Sequence, residues 1–232
     1  MTTARRARAI VALDVPTFEE AVPVVDALGD SCDFYKIGSE LFTAAGPDAV
    51  GALRTRELDV FLDLKFHDIP NTVRGAVRSA ARLGVKLVTV HASGGSDMLS
   101  AAVEGAGDQC RVLAVTVLTS LVGSGLGHVW GREIDAVDEE VLRLAQLARS
   151  SGAHGVVCSG MEAAAVREAH GDVLEILVPG IRPEGGPVHD QARVVTPSEA
   201  VAAGASYLVL GRAVTGAVDP RAAMRRVREA LR

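Results

Sequence analysis

Short runs of consecutive apolar residues recur along this chain, separated by longer segments in which apolar positions return every three or four residues. The runs cover residues 9–13, 34–37, 60–64, 87–90, 111–118, 155–158, 174–178 and 207–210. Their length and Val/Ile/Leu content predict eight buried strands. The intervening segments predict helices over 18–28, 41–54, 70–83, 97–105, 138–150, 161–169, 197–203 and 220–231. Several carry end signals. Thr17 stands at the start of the first helix and Gly29 at its end, while Thr196-Pro197 and Asp219-Pro220 place a capping side chain before a proline. Gly46-Pro47 interrupts the second helix. Strand and helix alternating eight times predict an α/β fold of one domain over residues 1–232, a (β/α)8 TIM barrel. A doubly wound open sheet is the runner-up. It calls for a glycine-rich phosphate loop after the first strand, where this chain has Asp14-Val15-Pro16.

Composition narrows the picture. Hydrophobic residues make up 48% of the 232 positions and aromatics only 3%, so the core is aliphatic, as suits a parallel sheet buried on both faces. The net charge of −5 comes with interspersed acids and bases, and no basic stripe points to nucleic acid as a partner. The apolar run after the N-terminal arginines breaks at Asp14, too short for a signal peptide, and no stretch approaches the ~18 residues of a membrane span. Cys32, Cys110 and Cys158 are widely spaced, odd in number and set in apolar surroundings, which reads as reduced, buried thiols. The expectation is a soluble, cytoplasmic protein.

In a parallel barrel the active site lies at the C-terminal ends of the strands. The residues there are Asp14 after the first strand, Lys36 in the second, Asp63, Lys65 and then Asp68 in and after the third, and His91-Ala92-Ser93 after the fourth. Thr119-Ser120, Ser159-Gly160, Gly180-Ile181-Arg182 and Gly211-Arg212 follow the remaining four. Two long segments, 119–137 and 179–195, lie on this side, and loops of that length commonly serve function.

The stretch 59–73 is the densest in chemistry. Strand alternation puts Asp63 and Lys65 on one face, two rises of ~3.3 Å apart. A strand-capping ion pair is the plain reading. The lysine usage changes it, because only Lys36, Lys65 and Lys86 occur among 24 basic residues, the other 21 being arginine. Lysine can release a proton near neutral pH and arginine cannot. Flanked by carboxylates, Lys36 and Lys65 stay protonated, which rules out Schiff-base attack but allows stabilisation and protonation of a carbanion. Asp63 would set a negative charge beside a substrate carboxylate, which points to loss of CO2 and protonation by Lys65. Gly211-Arg212 after the eighth strand, with Arg182, suits a phosphate. The six histidines show no metal-ligand spacing, and His67 reads as packing or support.

The motif DLKFHDIPNT over 63–72 resembles the D-x-K-x-x-D signature of the orotidine 5′-phosphate decarboxylase family. The similarity extends, in order, through ALDV at Asp14, FYKIGSELF at Lys36, VHASGG at His91, VTVLTS at Thr119, VVCSG at Cys158, PGIRPEGGPVHDQARVVTP and VLGRAVT at Arg212. The resemblance implies cofactor-free and metal-free conversion of orotidine 5′-phosphate to UMP. It implies that Asp14 binds the ribose and orotate end, that Lys36 contacts ribose, that Asp63 sits by the departing carboxylate, and that Lys65 protonates C6. It further implies a homodimer in which Asp68 and Thr72 serve the neighbouring subunit's site. Thr119 and Ser120 would hold the pyrimidine, and Arg182, Gln191, Gly211 and Arg212 the phosphate. Val178 stands before PGIR where the family often has threonine. Mg²⁺-dependent sugar-phosphate decarboxylases or synthases also resemble D-x-K-x-x-D, but HDIPNT, PGIRP and Gln191 favour the orotidylate reading.

Overall fold

The structure, a computed structural model, describes residues 7–121, 123–182 and 194–231. Eight parallel strands close into a barrel in sequence order. They are β1 (Arg8–Ala12), β2 (Phe34–Gly38), β3 (Asp59–Phe66), β4 (Leu87–His91), β5 (Arg111–Val115), β6 (Gly155–Val157), β7 (Glu175–Val178) and β8 (Tyr207–Leu210). Closure is completed by β8 against β1, with Ala9 beside Leu208 and Val11 beside Leu210. The expected barrel is therefore observed, and the open sheet is not.

Helices pack around the outside: α1 (Phe18–Leu28), α2 (Ser39–Thr55), α3 (Pro70–Arg82), α4 (Gly95–Ala106), α5 (Gly123–Trp130), α6 (Val137–Ser150), α7 (Ala163–His170), α8 (Pro197–Ala202), α9 (Arg212–Thr215) and α10 (Pro220–Ala230). The end signals act as read. The Thr17 hydroxyl accepts from the Glu20 amide at 3.3 Å, Asp219 accepts from the Ala222 amide at 2.9 Å, and Thr196 with Glu199 forms a reciprocal capping box. Gly46 takes φ 60° and kinks α2 where the break was expected. Two helices escape the periodicity. α5 lies inside the glycine-rich segment 119–137, whose composition masks it, and α9 is a single turn. Beyond α5, Arg132 and Arg143 both pair with the buried Glu140 carboxylate of α6. The fifth strand ends at Val115, three residues short of the apolar run.

Side chains alternate between two cores. Outward-facing residues such as Val11, Tyr35, Leu62 and Val88 pack against the helices. Inward-facing Ile10, Ala12, Phe34, Phe61, Leu87, Leu113, Val115, Val157, Leu177 and Val209 fill the barrel. Each buried Val, Leu, Ile or Phe contributes ~1.5–3 kcal/mol relative to exposure. Ion pairs gather at the N-terminal end of the barrel, around a cavity of about 540 Å³. Arg8 meets Asp59 at 3.0 Å and lies over the Phe34 ring, Arg111 meets Glu175 at 2.8 Å, and the Tyr207 hydroxyl donates to Glu175 at 3.1 Å.

His154 carries a pH dependence. Its Nδ1 accepts the Val112 amide proton at 3.1 Å, which requires an unprotonated nitrogen. Burial, then the nearby Arg111, lowers its pKa below the ordinary histidine value, against the opposing pull of Glu175. A depressed histidine contributes stability that is present above its unfolded pKa of ~6.5 and is lost as pH falls below it. We expect urea unfolding to show falling stability between about pH 7.5 and about pH 5. His154→Leu should be about 1 kcal/mol less stable at the upper pH, through the lost hydrogen bond, yet fall less steeply on acidification. An unchanged slope in the variant would assign the acid sensitivity elsewhere.

Candidate active site

The inward phase of each strand continues past the apolar fill to the C-terminal mouth of the barrel. In β1 it runs from Ala12 to Asp14, in β2 from Phe34 to Lys36 and Gly38, and in β3 from Phe61 to Asp63 and Lys65. In β4 it runs from Leu87 to Thr89 and His91. Of these, Ala12, Asp14, Lys36, Phe61, Asp63 and Lys65 line a cavity of about 530 Å³ at the mouth. The opposite wall is apolar, made by Val115, Val117, Val157, Leu177 and Val209. Pro179, Gly180, Arg182, Gly211, Arg212 and Thr215 complete the rim from the ends of β7 and β8.

The charged wall is one connected network. Lys65 Nζ donates to Asp63 Oδ2 at 2.8 Å, and Lys36 Nζ lies 3.7 Å from the same oxygen. Lys36 Nζ also donates to Asp14 Oδ1 at 2.7 Å. The Thr89 hydroxyl donates to Asp63 Oδ1 at 2.9 Å. Asp63 and Lys36 are nearly buried, with side chains 13% and 10% exposed, whereas Lys65 is 36% exposed toward the cavity. Burial alone would push the Asp63 carboxyl up. The charges of Lys65 and Lys36 and the hydrogen bonds from Lys65 and Thr89 outweigh it and hold the pKa below the ordinary aspartate value. His91, at the end of β4, is depressed mainly by burial and then by the charges of His67 and Lys65. Its ring stands 5.3 Å from that of His67.

Local backbone places these groups. The β3–β4 pairing shifts register between Leu62 and Phe66, and Lys65 adopts φ 50° inside that interval. A left-handed lysine costs of order 1–3 kcal/mol and persists only where its surroundings hold it. Here the Lys65 amide donates to Thr89 Oγ1 at 3.0 Å and its ammonium to Asp63. Gly38 makes room for the neighbouring pair. A Cβ there would stand 2.9 Å from Lys36 Nζ and 3.2 Å from Asp14 Oδ1, too close for either to keep its place.

Of the residues singled out from the sequence, Asp14, Lys36, Asp63, Lys65, Thr119, Arg182, Gly211 and Arg212 line this one cavity. Asp68, Thr72 and Ser120 do not. All three are exposed, and the Asp68 carboxylate accepts the Ile69 amide proton at 2.6 Å. Gln191 lies outside the described residues. The chain on either side of 183–193 is held together, since Ile181 and Val195 form a parallel bridge in which the Arg182 amide donates to the Val195 carbonyl at 3.0 Å. The sequence reading missed Thr89 and Gly38. Counting inward positions from Leu87 would have found Thr89.

The model of the Orotidine 5′-phosphate decarboxylase / HUMPS family matches residues 7–227. A relative from Anaeromyxobacter sp. (strain K), named orotidine 5′-phosphate decarboxylase, is 52% identical over 224 residues, covering 97% of this chain and 98% of its own. One of the same name from Moorella thermoacetica is 49% identical over 226 residues, covering 94% and 89%. The crystal structure of orotidine 5′-phosphate decarboxylase from Lactobacillus acidophilus superimposes with a TM-score of 0.87 at 39% identity, over 97% of this chain and 99% of that one. With a family model spanning nearly its whole length and relatives sharing half its residues, the chain belongs to the orotidine 5′-phosphate decarboxylase / HUMPS family.

Proposed function

We propose that this protein is a carboxy-lyase that converts orotidine 5′-phosphate to UMP and CO2, with Lys65 as the proton donor. The observation that carries the reading is the Asp63 carboxylate, kept ionised beside two ammonium groups at the base of a cavity whose other wall is apolar. The family name joins two chemistries. Relatives at about 50% identity carry the orotidylate name, and they support it over the Mg²⁺-dependent sugar-phosphate alternative.

The geometry suits the reaction. A flat pyrimidine fits against the wall of Val115, Val157 and Leu177, with Thr119 at its edge. Arg182 and Arg212, with the small Gly211, offer bidentate donors for a phosphate at the rim. Asp14 and Lys36 stand between, at the ribose. The substrate carboxylate then enters beside Asp63. The C6–carboxylate bond breaks, CO2 leaves, and the electron pair stays on C6. The Lys65 ammonium stabilises that charge and delivers its proton to C6, and the neutral amine regains a proton from solvent. Binding energy from the remote phosphate can be used to hold the carboxylate against Asp63.

The exposure of Asp68 and Thr72, beside the two-thirds exposed Ile69, supports a homodimer in which this surface reaches a second copy's site. The three cysteines are buried and joined in no disulfide, which fits the cytoplasm, and among the described residues no helix is long and apolar enough to cross a membrane.

Three measurements test this reading. The ultraviolet change as orotidylate becomes UMP should be seen with purified protein, and Lys65→Ala should lower kcat by ~10³-fold or more while the substrate still binds. Robust turnover by Lys65→Ala would remove the lysine from the proton step. Activity should survive EDTA, and loss on chelation with recovery by Mg²⁺ would instead favour the sugar-phosphate chemistry. Mixing inactive Asp68→Ala and Lys65→Ala subunits should restore part of the activity, because one site in each mixed dimer keeps both residues. Mixed dimers that form but stay inactive would argue against a shared site.

A further inference from the structure

Thr89 enters the charged wall from β4, and its side chain is fully buried. Its hydroxyl oxygen accepts the backbone N–H of Lys65 at 3.0 Å and lies 2.9 Å from Asp63 Oδ1. A hydroxyl has one proton. Because a backbone amide can only donate, the hydroxyl must accept there, and its proton is committed to Asp63 Oδ1. That oxygen has to be an acceptor, and it accepts more strongly when the carboxylate is ionised, so the bond favours the charged form. With Oδ1 so engaged, Oδ2 is the oxygen left for Lys65 at 2.8 Å and Lys36 at 3.7 Å.

We propose that Thr89 is a positioning residue for the decarboxylation: one hydroxyl fixes the rotation of the Asp63 carboxylate and pins the left-handed backbone of Lys65, setting the donor's ammonium against Oδ2. This rests on the decarboxylase reading above. Thr89 acts through Asp63 and Lys65 and does not line the cavity itself. Two features of β3 make such a tie necessary. The ladder to β4 shifts register between Leu62 and Phe66, and Lys65 lies inside that interval with φ 50°. A flexible side chain on a backbone free to relax to negative φ would lose its aim, and misplacement by about 1 Å can cost ~10²-fold in rate.

The role has a titration signature. Asp63 faces Lys65 on its own strand, Lys36 from β2, and Thr89 and His91 from β4. Asp14 reaches the cluster through Lys36, and His67 through His91. Removing the hydroxyl takes away a hydrogen bond made to the charged carboxylate and leaves both lysines in place. The ionisation of Asp63 should then move to higher pH.

The test compares wild type with Thr89→Val, which keeps the shape and loses the hydroxyl, and Thr89→Ser, which keeps the hydroxyl. We expect Thr89→Val to lower kcat by ~10- to 100-fold with KM within about threefold. The acidic limb of its pH profile should lie at higher pH, and Thr89→Ser should stay within about threefold of wild type. Thr89→Val with wild-type kcat and an unmoved acidic limb would overturn the proposal, as would equal impairment of the Ser and Val variants. If Thr89→Val does not fold, Thr89→Ala against Thr89→Ser repeats the comparison of hydroxyl absent with hydroxyl present. The Asp63 carboxyl titration, followed by carbon NMR, separates this proposal from the assigned reaction. If wild type fails to decarboxylate orotidylate, the functional reading falls, and an Asp63 titration unchanged by loss of the hydroxyl still refutes the part assigned to Thr89.

Discussion

The site depends on a carboxylate that is kept charged where burial opposes charge. Asp63 is 13% exposed, and an unpaired carboxylate at that depth would take up a proton. Lys65 and Lys36 reverse the outcome. Each comes from a different turn of the barrel's logic: Lys65 two residues along the same strand, and Lys36 from the neighbouring strand, where Gly38 pairs with Asp63. Removing either lysine would leave a buried charge partly uncompensated, which is the costly way to break such a cluster. The same constraint makes the group useful. Charges already held apart and desolvated need little rearrangement when a further carboxylate is brought in and a carbanion develops.

Strand alternation builds both the stability and the chemistry. Phe34, Phe61 and Leu87 fill the lower barrel, and two residues further along the same phase stand Lys36, Asp63 and Thr89. The far half of the barrel keeps small and aliphatic residues to the mouth. One wall of the cavity therefore carries charge and the other carries shape. Ion pairs among Arg8, Asp59, Arg111 and Glu175 lie at the opposite end, around a second cavity of about 540 Å³.

The stretch between Asp59 and Val73 changes direction inside a few residues. Lys65 turns inward on a left-handed backbone, and Asp68 and Thr72 emerge on the outside as Pro70 starts α3. A register shift at this point re-aims a side chain that a regular strand would have left to rotate freely. Strain there is held by the Thr89 hydroxyl and by the Asp63 salt bridge.

The order of eight strands, the capped helix starts at Thr17, Thr196 and Asp219, and the choice of lysine at only three positions could all be read along the chain, because periodicity, capping and residue chemistry are local. They place Asp14, Lys36, Asp63 and Lys65 at one end of a barrel. Helix α5 was hidden by its glycines, and no pattern announces a positive φ at Lys65. Only the tertiary structure decided that Thr89 meets both Asp63 and the Lys65 amide, that Gly38 leaves space for the Lys36–Asp14 pair, and that the exposed Asp68 does not line its own cavity. The reason is physical. Alternation along a strand tells which face a side chain takes, but which neighbour it meets there depends on the stagger between strands, and that is set when the barrel closes.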